Sequence, residues 1–347
     1  MKKPFFSIVI PTYNRSNTLS LLMKNIYMQT FKDFEIIIQD NNSTDNTKKL
    51  IDCFRIKFDN IRYYKNSINI GTGRNLYQGI QKAGGHYIFL MGDDDLILDR
   101  NCLLNVYKQT LKKEIGFIRL KFIYHNKFKY LFTYFANKGK EDIFFPPNTQ
   151  NLQIYEFLYK YFQFISGVIF KNVGNKKISL LENANDYLYI DSFYISYLFK
   201  LTKKYGAMVM NNDIIIATWS PMKNNTTYYN FIDNKAYFEE MWKFIKPTLN
   251  NTEMENWKKN EINNSIFNLP SVKYYSSNKN LLLTFKRIIK LNKKLIFFPS
   301  TYLFFTFALL CPKIFWDFLR YCVYWYNRVR NKTIITKFNN LKEELSI

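Results

Sequence analysis

Over roughly its first 115 residues the chain alternates short apolar runs with amphipathic helical patterns, and few folds accept that alternation. The run FFSIVI, from Phe5, is followed by Leu19, Leu22, Met23 and Ile26 at three- and four-residue spacing, with Ser16 or Asn17 available as a cap. FEIIIQD, from Phe34, precedes a segment that carries Leu50, Ile51 and Phe54 on one helical face. IRYY, from Ile61, a helix within GRNLYQGIQKAG and the strand HYIFLM, from His86, complete the series. Strands that alternate with helices build βαβ units, so the expectation is an α/β fold, a Rossmann-like and mostly parallel sheet flanked by helices.

In such sheets ligands gather at the carboxyl ends of the strands. Four polar stretches fall there: 11–14 after the first strand, 39–45 after the second, 69–75 after the third and 92–95 after the fourth. The last holds consecutive carboxylates, Asp93, Asp94 and Asp95, and each raises the cost of ionising its neighbours. Either a solvated turn or a cation answers that repulsion. A divalent ion such as Mn2+ or Mg2+ takes oxygen ligands, one or two carboxylates plus phosphate and water. In an extended chain alternate residues point the same way, so Asp93 and Asp95 would share one ion while Asp94 turns elsewhere.

The 347 residues carry 50 Lys and Arg against 27 Asp and Glu, a formal net charge of +23 that points to phosphate-rich partners: nucleotides, anionic lipid or nucleic acid. With 47% hydrophobic and 19% aromatic residues, disorder is excluded. Cys53, Cys102, Cys311 and Cys322 are widely spaced and match no zinc or redox motif, so they read as reduced thiols. The apolar run in MKKPFFSIVI is too short for a secretory signal and reads as a first strand.

Beyond residue 116 the alternation loosens. GFIRLKFIYHNKFKYLFTYF reads as strand and hairpin, NLQIYEFLYKYF as a helix, SGVIF as a strand, and DYLYIDSFYISYLFKLTKKYG as a long helix ending at Gly206. AMVMNND and IIIATWS read as two short strands. Three parts result: residues 1–115, 116–235, and a helical carboxyl-terminal extension over 236–347. In the extension, 295–311 is almost wholly apolar but is interrupted by Pro299 and sits at the short limit for a membrane span. A second apolar face runs from Ile314 to Tyr326, among lysines, arginines and Trp/Tyr side chains. A span and a core helix pair are alternatives. The expectation is helices lying in an anionic membrane interface.

The segments SIVIPTYNRSNT, QDNNSTDNT, NIGTGRN and KAGGHYIFLMGDDD, in this order and spacing, resemble the family 2 glycosyltransferases of the GT-A fold, which use nucleotide-diphosphate sugars. The resemblance implies that 1–115 is the nucleotide-sugar-binding half and 116–235 the acceptor-binding half of one GT-A domain. It implies that Pro11, Thr12, Tyr13 and Asn14 line the nucleoside pocket, that Asp40 hydrogen-bonds the base, and that Arg74 stands near the nucleotide. Asp93 and Asp94 would hold ribose and diphosphate, with Asp95 and Asp93 as ligands of Mn2+ or Mg2+. Gly92 departs from the family, many members of which carry an aspartate there. The family's general base opens a helix in the second half, often within an E-D pair; that pair is missing here, Asp191 has the layout, and Asp186 and Glu182 are rivals. The implied reaction is an inverting transfer, with a UDP sugar as the expected donor, onto a hydroxyl of a lipopolysaccharide, O-antigen, capsule or lipid-linked oligosaccharide precursor. The implied place is the cytoplasmic face of a bacterial membrane.

Other classes fit less well. A dinucleotide-binding oxidoreductase needs a glycine-rich first turn, and PTYNRSN stands there instead. A nucleic-acid-binding module would explain the net charge, yet the basic residues are densest beside apolar, aromatic segments and the acidic rim repels phosphate unless a cation sits there. No nucleic acid is therefore expected as a partner. A catalytically silent transferase-like subunit is the third alternative. His86, which opens a strand, reads as structural, and His125 falls in the hairpin region.

Overall fold

The computed structural model describes residues 3–126, 131–132, 141–149, 164–174, 194–219, 251–252, 282, 285–286, 299–310, 318, 322 and 332–346. The helix expected over 151–162 and the candidate bases Glu182, Asp186 and Asp191 lie outside the described residues. The first half runs β1 (Phe6–Thr12), α1 (Ser16–Tyr27), β2 (Phe34–Asp40), α2 (Thr47–Lys57), β3 (Ile61–Lys65), α3 (Thr72–Lys82), β4 (Tyr87–Leu90), β5 (Leu96–Ile97) and α4 (Cys102–Lys112). It continues with β6 (Phe117–Asn126), β7 (Leu131–Phe132), β8 (Ile143–Phe145), β9 (Val168–Lys171), α5 (Ile195–Tyr205), β10 (Ala207–Trp219), α6 (Pro299–Leu310) and α7 (Lys332–Leu345).

Among the described residues the strands form one sheet, in the order β3-β2-β1-β4-β9-β6-β10-β5, with β7 on β6 and β8 on β10. β1 to β4 are parallel, whereas β9 is antiparallel to both β4 and β6. Every residue of β1 and β2 is buried, because helices cover both faces. On one face Phe6, Ile8 and Ile10 pack with Leu19, Leu22 and Met23 of α1 and with Leu103 and Val106 of α4. On the other, α3 lies so close that a Cβ on Gly79 would sit 2.8 Å from Cγ1 of Val9. α5 sets Tyr197 edge-on to Phe170, with ring centroids 5.5 Å apart.

Two local expectations change. Neither Ser16 nor Asn17 caps α1 with its side chain; the Ser16 N–H donates to Oδ2 of Asp45, 2.9 Å away on the loop after β2. The two short strands expected over 207–219 are one strand whose register against β6 shifts between Met210 and Ile214. The polar residues Asn211, Asn212 and Asp213 fill that irregularity, and the ladder resumes beyond them.

The chain divides into two compact units, Met1–Trp219 with Asn331–Ile347, and Ser220–Arg330. The boundary expected near 235 lies within the second of these units, and residues 331–347 of the expected extension group with the first. Phe338, Leu341 and Leu345 of α7 pack with Leu96, Leu98, Ile123, Ile214 and Ile216, because an apolar face at helical spacing needs a partner and the edge of the sheet supplies one. In the other unit, α6 has 12 residues and is about 18 Å long at 1.5 Å per residue. Among the described residues no helix is long and apolar enough to cross a membrane. Tyr302, Leu303, Leu309 and Leu310 are exposed along one side of α6, while Phe305 stacks on Phe285 at 4.1 Å.

Candidate active site

The order of the parallel strands reverses at β1, which lies between β2 and β4, and the residues that end these strands face one another. Thr12, Asp40 and Lys65 form one row across β1, β2 and β3. The Thr12 hydroxyl donates to Oδ2 of Asp93 at 2.7 Å. Arg15, just beyond β1, donates from Nη1 to Oδ1 of Asp93 at 3.1 Å and to Oδ2 of Asp94 at 2.7 Å.

The extended arrangement expected for 93–95 does not form. The chain turns at Asp93 and Asp94, and the Asp95 N–H donates to the Gly92 carbonyl at 3.4 Å. The turn is forced because Leu96 and Ile97 must already pair with Ile216 and Ile215 of β10. Asn25 of α1 fixes the same segment, accepting from the Ile97 N–H at 2.7 Å and donating to its carbonyl at 3.0 Å. Asp93 and Asp94 thus share Arg15, while Asp95 accepts a hydrogen bond from the Ser166 hydroxyl. Ser166 Oγ in turn accepts the Gly92 N–H at 2.7 Å.

Burial dominates the electrostatics. Asp93 is 5% exposed, and its desolvation, with Asp94 beside it, pushes its pKa up to about 6 against the pull of Arg15 and Thr12. Burial alone would lower the Arg15 pKa, but Asp93 and Asp94 more than offset it and raise it. On the neighbouring loop burial would raise Asp45, yet hydrogen bonds from Thr47 and Ser16 hold its pKa down to about 2.

The remaining predicted residues divide into those that shape loops and those that face outward. Pro11 is buried in β1, and Tyr13 is exposed at the rim. Asn14 adopts φ 53°, a left-handed conformation that asparagine tolerates. Its N–H donates to Ser43 Oγ at 2.9 Å, and its Oδ1 accepts the Thr44 N–H at 2.7 Å, so it ties the first loop to the second. Asp40 is fully buried; its Oδ1 accepts the Ser43 N–H at 2.7 Å and its Oδ2 the Tyr63 hydroxyl at 2.5 Å. Behind it Asn41, Asn66, Asn75 and Gln39 form a chain of amide hydrogen bonds. Arg74 is exposed on the first turn of α3.

Sequence reasoning missed Arg15, Tyr63 and Ser166. Arg15 had a signal, a basic residue directly after Asn14 on a rim that carries three carboxylates. Ser166 had none, because 71 positions separate it from Asp95 and only the insertion of β9 beside β4 brings it there.

Among the described residues no group of three or more His, Cys, Asp or Glu is arranged to hold a metal ion. The donor set nonetheless fits a hard divalent cation that takes one or two carboxylates and completes its shell with phosphate and water. The raised pKa of Asp93 marks a buried carboxyl that gains from a positive neighbour, a part that Arg15 plays here.

Residues 7–164 match the model for glycosyl transferase family 2. This segment belongs to that family. Among curated proteins, a GalNAc(5)-diNAcBac-PP-undecaprenol beta-1,3-glucosyltransferase of Campylobacter jejuni is 36% identical over 96 residues, 27% of this chain and 31% of that protein. The abequosyltransferase RfbV of Salmonella typhimurium is 41% identical over 105 residues, 29% of this chain and 32% of that protein. The chain spans about a third of the length of these relatives. Among solved structures, Staphylococcus aureus TarS superposes with a TM-score of 0.52 at 16% identity, covering 88% of this chain and 52% of that one. The family 2 segment therefore has the mixed α/β architecture of the GT-A fold.

Proposed function

We propose that the chain is a glycosyltransferase that moves a sugar from a nucleoside-diphosphate donor, with UDP sugar as the expected form, to a hydroxyl of a bacterial surface-glycan precursor. The observation that carries this reading is the carboxylate turn of Asp93–Asp95, joined to the end of β1 by Thr12 and Arg15 where the strand order reverses. A ligand bound at that place would meet acidic oxygens and the Arg15 guanidinium, which suits one that is anionic and brings its own cation.

Asp95 and Asp93 would hold Mn2+ or Mg2+, which when bound offsets the charge that develops on a diphosphate leaving group. Thr12 orients Asp93, and Arg15 keeps Asp93 and Asp94 together on the side of the nucleotide. The loop over Asn41–Asp45, fixed by Asp40 and Asn14, forms the seat of the nucleoside together with Pro11 and Tyr13. Arg74, exposed on α3, is the further cation for the nucleotide. Inversion needs one carboxylate to take the proton of the acceptor hydroxyl, a role for which Asp191 and then Asp186 are proposed.

Relatives whose names denote a glucosyl transfer on an undecaprenol-linked glycan and an abequosyl transfer support an acceptor of the lipid-linked or surface-glycan kind. Such an acceptor sits at a membrane. The exposed apolar side of α6 and the basic character of 286–332 support peripheral attachment to an anionic inner leaflet through the second unit. The decisive experiment is a screen of nucleotide sugars against the full chain, read by thermal shift and donor hydrolysis with and without Mn2+. A protein that neither binds nor hydrolyses any of them, with or without metal, has another function.

A further inference from the structure

Asp95 is aimed by a residue from the far half of the sheet. Ser166 is fully buried and lies just past residue 164, where the family match ends. Its Oγ accepts the Gly92 N–H at 2.7 Å, so its single proton is directed to Oδ2 of Asp95. The hydroxyl therefore closes both ends of the carboxylate turn at once.

The backbone beneath it is fixed as well. Gly167 has φ 81°, and a Cβ there would lie 3.0 Å from Ile215 and 3.1 Å from Leu120. Arg119, only 1% exposed, donates from Nη1 to the carbonyls of Ser166 and Phe164, both at 2.9 Å, and its guanidinium lies over the rings of Phe122 and Phe164. A buried guanidinium is costly unless it is used. Here it holds the peptide that presents the Ser166 hydroxyl.

We propose that Ser166, set in place by Arg119, is the positioning residue for Asp95, holding its carboxylate in the rotamer that meets the cation of a bound nucleoside diphosphate. This rests on the proposed function. Partners that orient a metal ligand typically change metal affinity by about 10- to 100-fold when removed.

The test is calorimetric titration of the full chain with UDP and with GDP in MnCl2, for the wild type, Ser166→Ala, Ser166→Thr, Asp95→Ala and the Ser166→Ala/Asp95→Ala double variant. The expected result is about 10- to 100-fold weaker binding for Ser166→Ala and near-wild-type binding for Ser166→Thr, which keeps the hydroxyl. The double variant should bind no more weakly than Asp95→Ala, because residues that act through one another are not additive. Should Ser166→Ala not fold, Ser166→Cys, a weak donor of similar shape, replaces it in the cycle. Wild-type affinity in Ser166→Ala, or a loss that adds in full to that of Asp95→Ala, overturns the positioning role while leaving the transferase reading intact. A wild type that binds neither nucleotide removes both.

Discussion

The Thr12 hydroxyl donates to Oδ2 of Asp93 at 2.7 Å, joining residues 81 positions apart across the place where the strand order reverses. Together with Arg15 it stabilises the ionised form of a carboxyl that burial pushes towards neutrality. Donor turnover, if it needs Asp93 ionised, should rise with pH, around a midpoint of about 6 before a cation binds and a lower one once it does. Arg15→Met and Thr12→Val each remove a group that favours ionisation, so both should move that midpoint upward. A pH profile of donor hydrolysis checks this, and a midpoint that stays put or falls in Arg15→Met contradicts it.

The same shift predicts how stability depends on pH. Asp93 and Asp213 both have pKa values raised to about 6, chiefly by burial. Between the ordinary value of 3.8 and about 6 the folded state holds these protons and the unfolded chain has lost them, so stability should fall as pH rises through that window. Asp213→Asn keeps a partner for Asn105, which donates to Asp213 at 3.0 Å, and should flatten the decline. Urea unfolding at a series of pH values measures the slope. A stability that instead rises across the window would show that these carboxyls are ionised throughout.

The alternation of apolar runs and helical faces gave away the first half of the sheet because each element there is local and buried on both faces. The polar loops at the strand ends were legible for the same reason. Ser166 and Tyr63 were not, since their roles depend on which strands become neighbours. The place of α7 was hidden differently: its apolar face could be read, but not what would cover it, and Phe338 reaches Leu96 and Ile214 only after the intervening unit has been traversed. The order of charges at 93–95 misled, because the pairing of β5 with β10 forces a turn where an extended chain was expected.

Gly92 has a steric reason to lack a side chain. A Cβ there would lie 2.8 Å from Oδ2 of Asp95 and 3.1 Å from Oγ of Ser166. Gly92→Ala should therefore displace Asp95, and Gly92→Asp, although it restores the residue many family members carry, should do more damage by adding a charge to a crowded acidic turn. The expected outcome is a loss of donor hydrolysis of at least about tenfold, with a change in stability of about 1–3 kcal/mol, the usual cost of overpacking. Kinetics alongside thermal unfolding separate the two effects.

Tyr63 bears on the nucleoside seat through Asp40. Its hydroxyl donates to a fully buried carboxylate, and a hydrogen bond to a charged group contributes about 1.5–3 kcal/mol. Tyr63→Phe should cost about that much in urea unfolding and, because Asp40 also holds the Ser43 N–H, should raise the KM for donor more than it lowers kcat. A purely catalytic defect, with KM unchanged, would remove the loop from the proposed seat.

Membrane attachment and the integrity of the first unit must be tested by different variants. A truncation after residue 280 would also delete α7, whose Leu341 and Leu345 cover Leu96 and Leu98 only a few residues from Asp95. Leu341→Ala alone should cost about 2–5 kcal/mol and leave vesicle binding unchanged. Leu303 and Leu310, 71% and 72% exposed on α6, have little packing to lose, so Leu303→Ser/Leu310→Ser should leave the unfolding midpoint in place. If α6 lies in the interface, that double variant should pellet several-fold less with vesicles containing anionic lipid, and raising the salt concentration should weaken the wild type as its basic residues are screened. Undiminished pelleting of the double variant would place attachment elsewhere on the chain.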